Sequence, residues 1–159
     1  MRSLQWKRQT EMAVRVRLQG INILVQALDD YSKDVKDLVY NETREWAQRT
    51  ENAAKRDVPV KTGDLQSTIR TDSENNGLTW IVKAGGLKGV DYAPYIEFGT
   101  GARVNQSFLE EYGLSAYAMQ FTGEQEPFVA LPERSYLFRN ARTEFEKTLE
   151  NIRKILEQT

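Results

Sequence analysis

One carboxylate stands where side-chain chemistry is conceivable. Glu97 lies between Ile96 and Phe98 in the aromatic segment Tyr92–Phe98 (YAPYIEF). Work as a general acid or base would require a second titratable group, and Asp91 is the nearest in sequence. Read as a strand, the segment puts Ile96 and Phe98 in the core and Tyr95 with Glu97 on the opposite face. The bland reading of Glu97 is an ion pair with an Arg or Lys across an edge or interface. Little else is available. With 0 His and 0 Cys there is no Ser–His–Asp triad, imidazole base, thiolate nucleophile, disulfide or Cys/His metal site. Asp29 and Asp30 are adjacent on a helical pattern, so they point to different sides. The run Gly85–Gly89 (GGLKG) has neither P-loop spacing nor a dinucleotide fingerprint. Basic and aromatic residues interleave over 134–142 (RSYLFRNAR), which reads either as a packed helix start or as a nucleic-acid patch. No catalytic group, metal or cofactor is expected.

Such residues need a scaffold, and the chain has room for one domain over 1–159. It is 40% hydrophobic and 28% charged with a net charge of −1, which argues against disorder and against bulk attraction to nucleic acid. The charge is uneven: residues 1–63 are net +3, 64–133 net −6 and 134–159 net +2. No apolar run approaches a membrane span and no signal-peptide pattern opens the chain, so a soluble, unexported protein is expected.

Met12, Val14, Val16 and Leu18 alternate with polar residues up to Gly20 and predict a strand; residues 1–11 read as an arm. Ile21 to Tyr31 carries the spacing of a short amphipathic helix. A longer helix is predicted from Ser32, an N-cap, to about Asp57, where Pro59 stops it; its stripe is Val35, Leu38, Val39, Trp46 and Ala53. Pro59–Gly63 is a turn. Gln66–Thr71 and Leu78–Ala84 flank Asn75-Asn76-Gly77 and predict a hairpin. Tyr92–Phe98 is read as a further strand, with Pro94 at an edge or bulge. Residues 101–132 show no sustained period and are read as a long loop. A final helix carries Ala141, Phe145, Leu149, Ile152, Ile155 and Leu156 on one side. The expected class is α+β: a small, mostly antiparallel sheet with two N-terminal helices and one C-terminal helix packed on it. Val35, Leu38, Val39, Trp46, Phe145, Leu149 and Ile152 should cover one face.

Three segments together resemble one family. Val58–Ile69 (VPVKTGDLQSTI) resembles a P-V-x-T-G-x-L-x-x-S-I signature, and Tyr92–Thr100 (YAPYIEFGT) resembles Y-A-x-Y-x-E-F-G-T. Arg134–Ala141 (RSYLFRNA) is similar to R-P-F-L-x-P-A, with Ser135 and Asn140 standing where that pattern has prolines. The family is the head–tail joining, or tail-completion, proteins of tailed bacteriophages. The resemblance implies a structural protein of the virion neck, assembled in the host cytoplasm as a homo-oligomeric ring, a hexamer or dodecamer. It would lie between portal-side neck proteins and the tail tube or its terminator, with DNA passing through the lumen and no membrane involved. A tail terminator capping the tube is the alternative within that setting; a small nucleic-acid-binding module is the alternative outside it.

Apart from the name, Pro59 and Gly63 set a turn, and Gly99 allows positive φ or a close backbone approach. Tyr92, Tyr95, Phe98, Tyr136 and Phe138 exceed the aromatic surface that one edge strand and one helix start bury. They, with Glu97, Gly99 and Thr100, are the expected subunit or partner interface. Residues 101–132 hold Glu110, Glu111, Glu124 and Glu126 against Arg103 alone. These four either line the DNA channel, where weak repulsion keeps the phosphate backbone moving, or solvate a surface loop.

Overall fold

A computed structural model describes residues 12–61, 63–100, 103–122 and 131–159. The alternation after Met12 forms β1 (Ala13–Leu18), and Gly20 at φ 85° opens α1 (Ile21–Ala27). Ser32 caps α2 (Lys33–Asp57), its Oγ accepting from the Val35 N–H at 3.3 Å. Asp34 in the first turn and Lys55 and Arg56 in the last complement the helix dipole. The helix stops one residue before Val58, which precedes Pro59 and is extended at φ −62°, ψ 135°.

A short α3 (Asp64–Thr68) leads into the hairpin of β2 (Arg70–Glu74) and β3 (Thr79–Gly85). Asn75, Asn76 and Gly77 all have positive φ, so the hairpin signal marks a four-residue reversal closed by the Leu78 N–H to the Asn75 carbonyl. The sheet is antiparallel in the order β1-β3-β2, with Val14 opposite Ala84 and Val16 opposite Val82. On that face the sheet packs against α2 through Trp46, Ala47 and Ala54. The other face sets Arg15, Arg17, Lys83, Arg70, Asp72 and Glu74 around the buried Ile81, and Arg17 of β1 meets Glu74 of β2 at 3.2 Å across the central strand. The α+β class stands.

Helix α7 (Phe138–Glu157) runs antiparallel along α2. Asn140 bonds Asp57 at one end, Trp46 Nε1 donates to the Ala141 carbonyl at 3.0 Å, and Ile152 packs on Val39 at the other end. Leu28 joins that last contact and ties α1 down. Among the described residues no helix is long and apolar enough to cross a membrane.

Four expectations change. Tyr92–Phe98 is not a strand: Ala93–Phe98 is a helix, α4, with Pro94 in its first turn. Proline is preorganised for that position and lacks only an N–H the helix would leave unbonded, which outweighs the β preference of the aromatics. The run Gln66–Thr71 begins as α3, and only its last two residues enter β2. The stretch read as a loop contains α5 (Gln106–Glu111), capped by the Asn105 side chain, and α6 (Ser115–Thr122). Leu38, Phe145 and Leu149 do not cover the sheet; they are 50%, 37% and 51% exposed. Helix α7 instead buries Ala141, Glu144, Thr148 and Ile152, because Glu144 and Thr148 bond Arg49 of α2. Trp46 packs on the sheet as expected; Val35 is buried, and Val39 and Ile152 are buried against Leu28 in a separate cluster rather than on the sheet.

Candidate assembly site

Helix α4 buries Ala93, Pro94, Glu97 and Phe98, spaced i, i+1, i+4, i+5, so Glu97 faces inward beside Phe98 rather than away from it. Its carboxylate is fully buried. Oε1 accepts from Ser135 Oγ at 2.5 Å and the Phe138 N–H at 2.8 Å; Oε2 accepts from the N–H groups of Tyr136 and Leu137, both at 3.0 Å. No Arg or Lys among the described residues takes part, which corrects the ion-pair expectation. Helix α7 has no side-chain cap of its own. Its free N-terminal N–H groups and the positive end of its dipole are met by a carboxylate from another element. Burial pushes the Glu97 carboxyl above its ordinary value, and Ser135 with the three backbone donors pulls it back.

The same junction explains Gly99. Its φ is 77°, and a Cβ there would lie 2.8 Å from Glu133 N and 2.9 Å from the carbonyl oxygens of Arg103 and Leu131. Positive φ and close approach both apply. Residues 131–134 run beside the end of α4: the Thr100 N–H bonds the Leu131 carbonyl, Thr100 Oγ1 accepts from the Leu131 N–H at 2.8 Å, and the Arg134 N–H bonds the Ile96 carbonyl. The YAPYIEFGT and RSYLFRNA segments are thus two halves of one hydrogen-bonded joint.

Of the eight residues expected at an interface, the joint absorbs most. Glu97, Phe98, Gly99, Thr100 and Tyr136 are buried within the protomer, Tyr95 and Phe138 are half-buried, and Tyr92 is exposed. Phe98 is ringed by Tyr117, Phe121 and Phe138 at centroid distances of 6.0, 6.3 and 5.8 Å. The aromatic surplus is therefore met by α6, from the stretch read as a loop. The Tyr136 hydroxyl donates to the Ala93 carbonyl at 3.2 Å, and burial raises its pKa well above the ordinary tyrosine value. Arg139 stacks 4.3 Å over Phe108 and pairs with Glu133; Arg142 lies 4.5 Å over Tyr112 and pairs with Glu111. Two of the three arginines of the 134–142 patch are held internally. Glu110 and Glu111 are exposed on α5, while Glu124 and Glu126 lie outside the described residues.

An exposed depression of about 580 Å³ opens where the motifs meet, lined by Pro59, Val60, Lys61, Gly63, Leu65, Tyr92, Ile96, Leu131, Pro132 and Arg134. Pro59 and Gly63, the expected turn residues, lie on one wall, with Gly63 at φ 82° opening α3. Tyr92 and Ile96 form another. Leu131 was not singled out by sequence; Val60, Lys61 and Arg134 stood within the quoted motifs but were not expected at an interface, and the available signal was an apolar residue between Pro59 and Lys61 in a turn. Among the described residues no cluster of His, Cys, Asp or Glu could hold a metal ion.

No curated protein and no solved structure matches the chain. A family model does match over residues 24–99, from within α1 to just past α4. That range includes Val58–Ile69 and all but the last residue of Tyr92–Thr100, and it ends before Arg134–Ala141. By that match, this part of the chain is similar to the family described as Bacteriophage HK97-gp10, putative tail-component.

Proposed function

We propose that the protein is a neck component that completes the tail and joins it to the head, as a homo-oligomeric ring around the DNA path. The observation that carries this reading is the use made of the motif residues. Glu97, the one carboxylate with a setting for chemistry, has both oxygens filled by four donors and no exposed surface. A substrate has no access to it. The motif geometry serves instead to fix an exposed depression, which suits assembly. Glu110 and Glu111, both exposed on α5, are the described channel candidates, Glu111 being paired with Arg142 at 3.2 Å.

The test is a phage lacking this chain. Filled heads and finished tails should accumulate separately, and adding the purified protein should join them. Intact infectious particles in its absence would overturn the proposal. Tails of irregular length would move the chain from the joint to the tail-tube cap.

A further inference from the structure

The two ends of α2 carry surfaces of opposite character. At its C-terminal end the depression exposes Val60, Tyr92 and Leu131, at 60%, 38% and 37%, with Lys61 and Arg134 on its rim. Both cations are solvent-exposed, and neither forms an ion pair with a described residue. At the N-terminal end, where α1 turns into α2, Tyr31 and Leu38 are 36% and 50% exposed. Four aspartates lie there, Asp29, Asp30, Asp34 and Asp37, against Lys33 and Lys36. Lys33 and Lys36 lie 3.9 Å from Asp37 and Asp29, and four carboxylates against two ammonium groups leave the corner at a net charge of −2. Asp34 and Leu38, four residues apart, share one face of the helix.

We infer that the depression at the end of α2 receives the α1–α2 corner of a second copy of this chain. The argument is complementarity in both respects a stable contact needs: exposed apolar side chains on each surface, and rims of opposite charge. The surfaces are separated by the length of a 25-residue helix, roughly 37 Å at 1.5 Å per residue. One copy therefore cannot satisfy its own depression, and a two-fold pairing is not required. A contact between different patches is heterologous: it repeats head to tail and closes into a ring when its rotation permits. This deepens the ring reading above and rests on it for its biological setting.

Light scattering over a range of concentrations at low and moderate salt tests the contact. Lys61→Glu with Arg134→Glu makes the depression acidic. Asp30→Lys with Asp37→Lys makes the corner basic and leaves the first-turn Asp34 in place. All four side chains are exposed, so circular dichroism should show both variants folded. The wild type should assemble, more weakly as salt rises. Each variant alone should need at least tenfold higher concentration. An equimolar mixture should assemble like wild type, because each acidic depression then meets a basic corner and each basic depression an acidic one. Variants that assemble normally, or a mixture no better than its components, would overturn this contact and leave the ring reading intact. A wild-type chain monomeric at every concentration would overturn both the contact and unaided ring formation, while head–tail joining is judged separately by the add-back assay.

Discussion

The joint around Glu97 and the seam between α2 and α7 both link distant parts of the chain through charge, and they do it in opposite ways. At the joint, one carboxylate is wholly desolvated and its donors are mostly backbone N–H groups held by a helix end. At the seam, Arg49 is the hub. It reaches Glu42, Glu45 and Glu144 at 3.4, 3.2 and 3.1 Å and Thr148 at 2.7 Å, and its side chain stays 29% exposed. A buried group with fixed donors leaves nothing able to replace it when it is removed. Arg49 keeps contact with water, and its two least exposed carboxylates have other donors, Lys147 to Glu144 at 2.9 Å and Asn151 to Glu42 at 3.2 Å, so its removal costs less. The joint should therefore fix geometry, and the seam should only trim stability.

That contrast orders the expected effects. Glu97→Gln should cost about 4 kcal/mol in urea unfolding, since the amide NH₂ would face backbone donors and strand at least one of them; a loss under 1 kcal/mol would equate the joint with the seam. Gly99→Ala should cost about 3 kcal/mol, from a β-carbon at positive φ closer than 3 Å to three backbone atoms. Arg49→Ala should cost about 1 kcal/mol, and raising the salt should shrink even that. The smallest effect should be at Asp72, exposed on β2 and held below its ordinary pKa by hydrogen bonding to Lys83 at 3.2 Å. Its native pKa is depressed, so its contribution is present above the ordinary aspartate range and is lost as pH falls through the lowered value. Asp72→Asn should slightly lower stability at neutral pH, leave it unchanged below the lowered pKa, and so slightly flatten the acid limb of a stability–pH curve.

How much could be read beforehand differs between the same two regions. Helix α2 announced itself through Ser32, its stripe and Pro59, because caps and stops are local chemistry. The seam was half legible: Trp46 was placed correctly, whereas Phe145 and Leu149 yielded the buried face to Glu144 and Thr148. Hydrophobic spacing could not foresee that Arg49 would turn polar residues inward. At the joint, Glu97 and Gly99 stood out, but the partners did not. Three of the four donors to Glu97 are backbone N–H groups about forty residues away, and a backbone donor has no side-chain signature. The same gap explains α4, α5 and α6. Helices of six to eight residues are held by tertiary contacts such as Phe98 on Tyr117, so their own sequences carry little period.

Amide hydrogen exchange at Tyr136, Leu137 and Phe138, compared between wild type and Glu97→Gln, tests most directly whether Glu97 is the latch that sets the start of α7. In the wild type these three amides should exchange only through global or near-global unfolding. In the variant they should exchange at least a hundredfold faster, while amides in the middle of α2 shift only with overall stability. Fast exchange at 136–138 in the wild type, or protection there that merely tracks α2 in the variant, would contradict the latch.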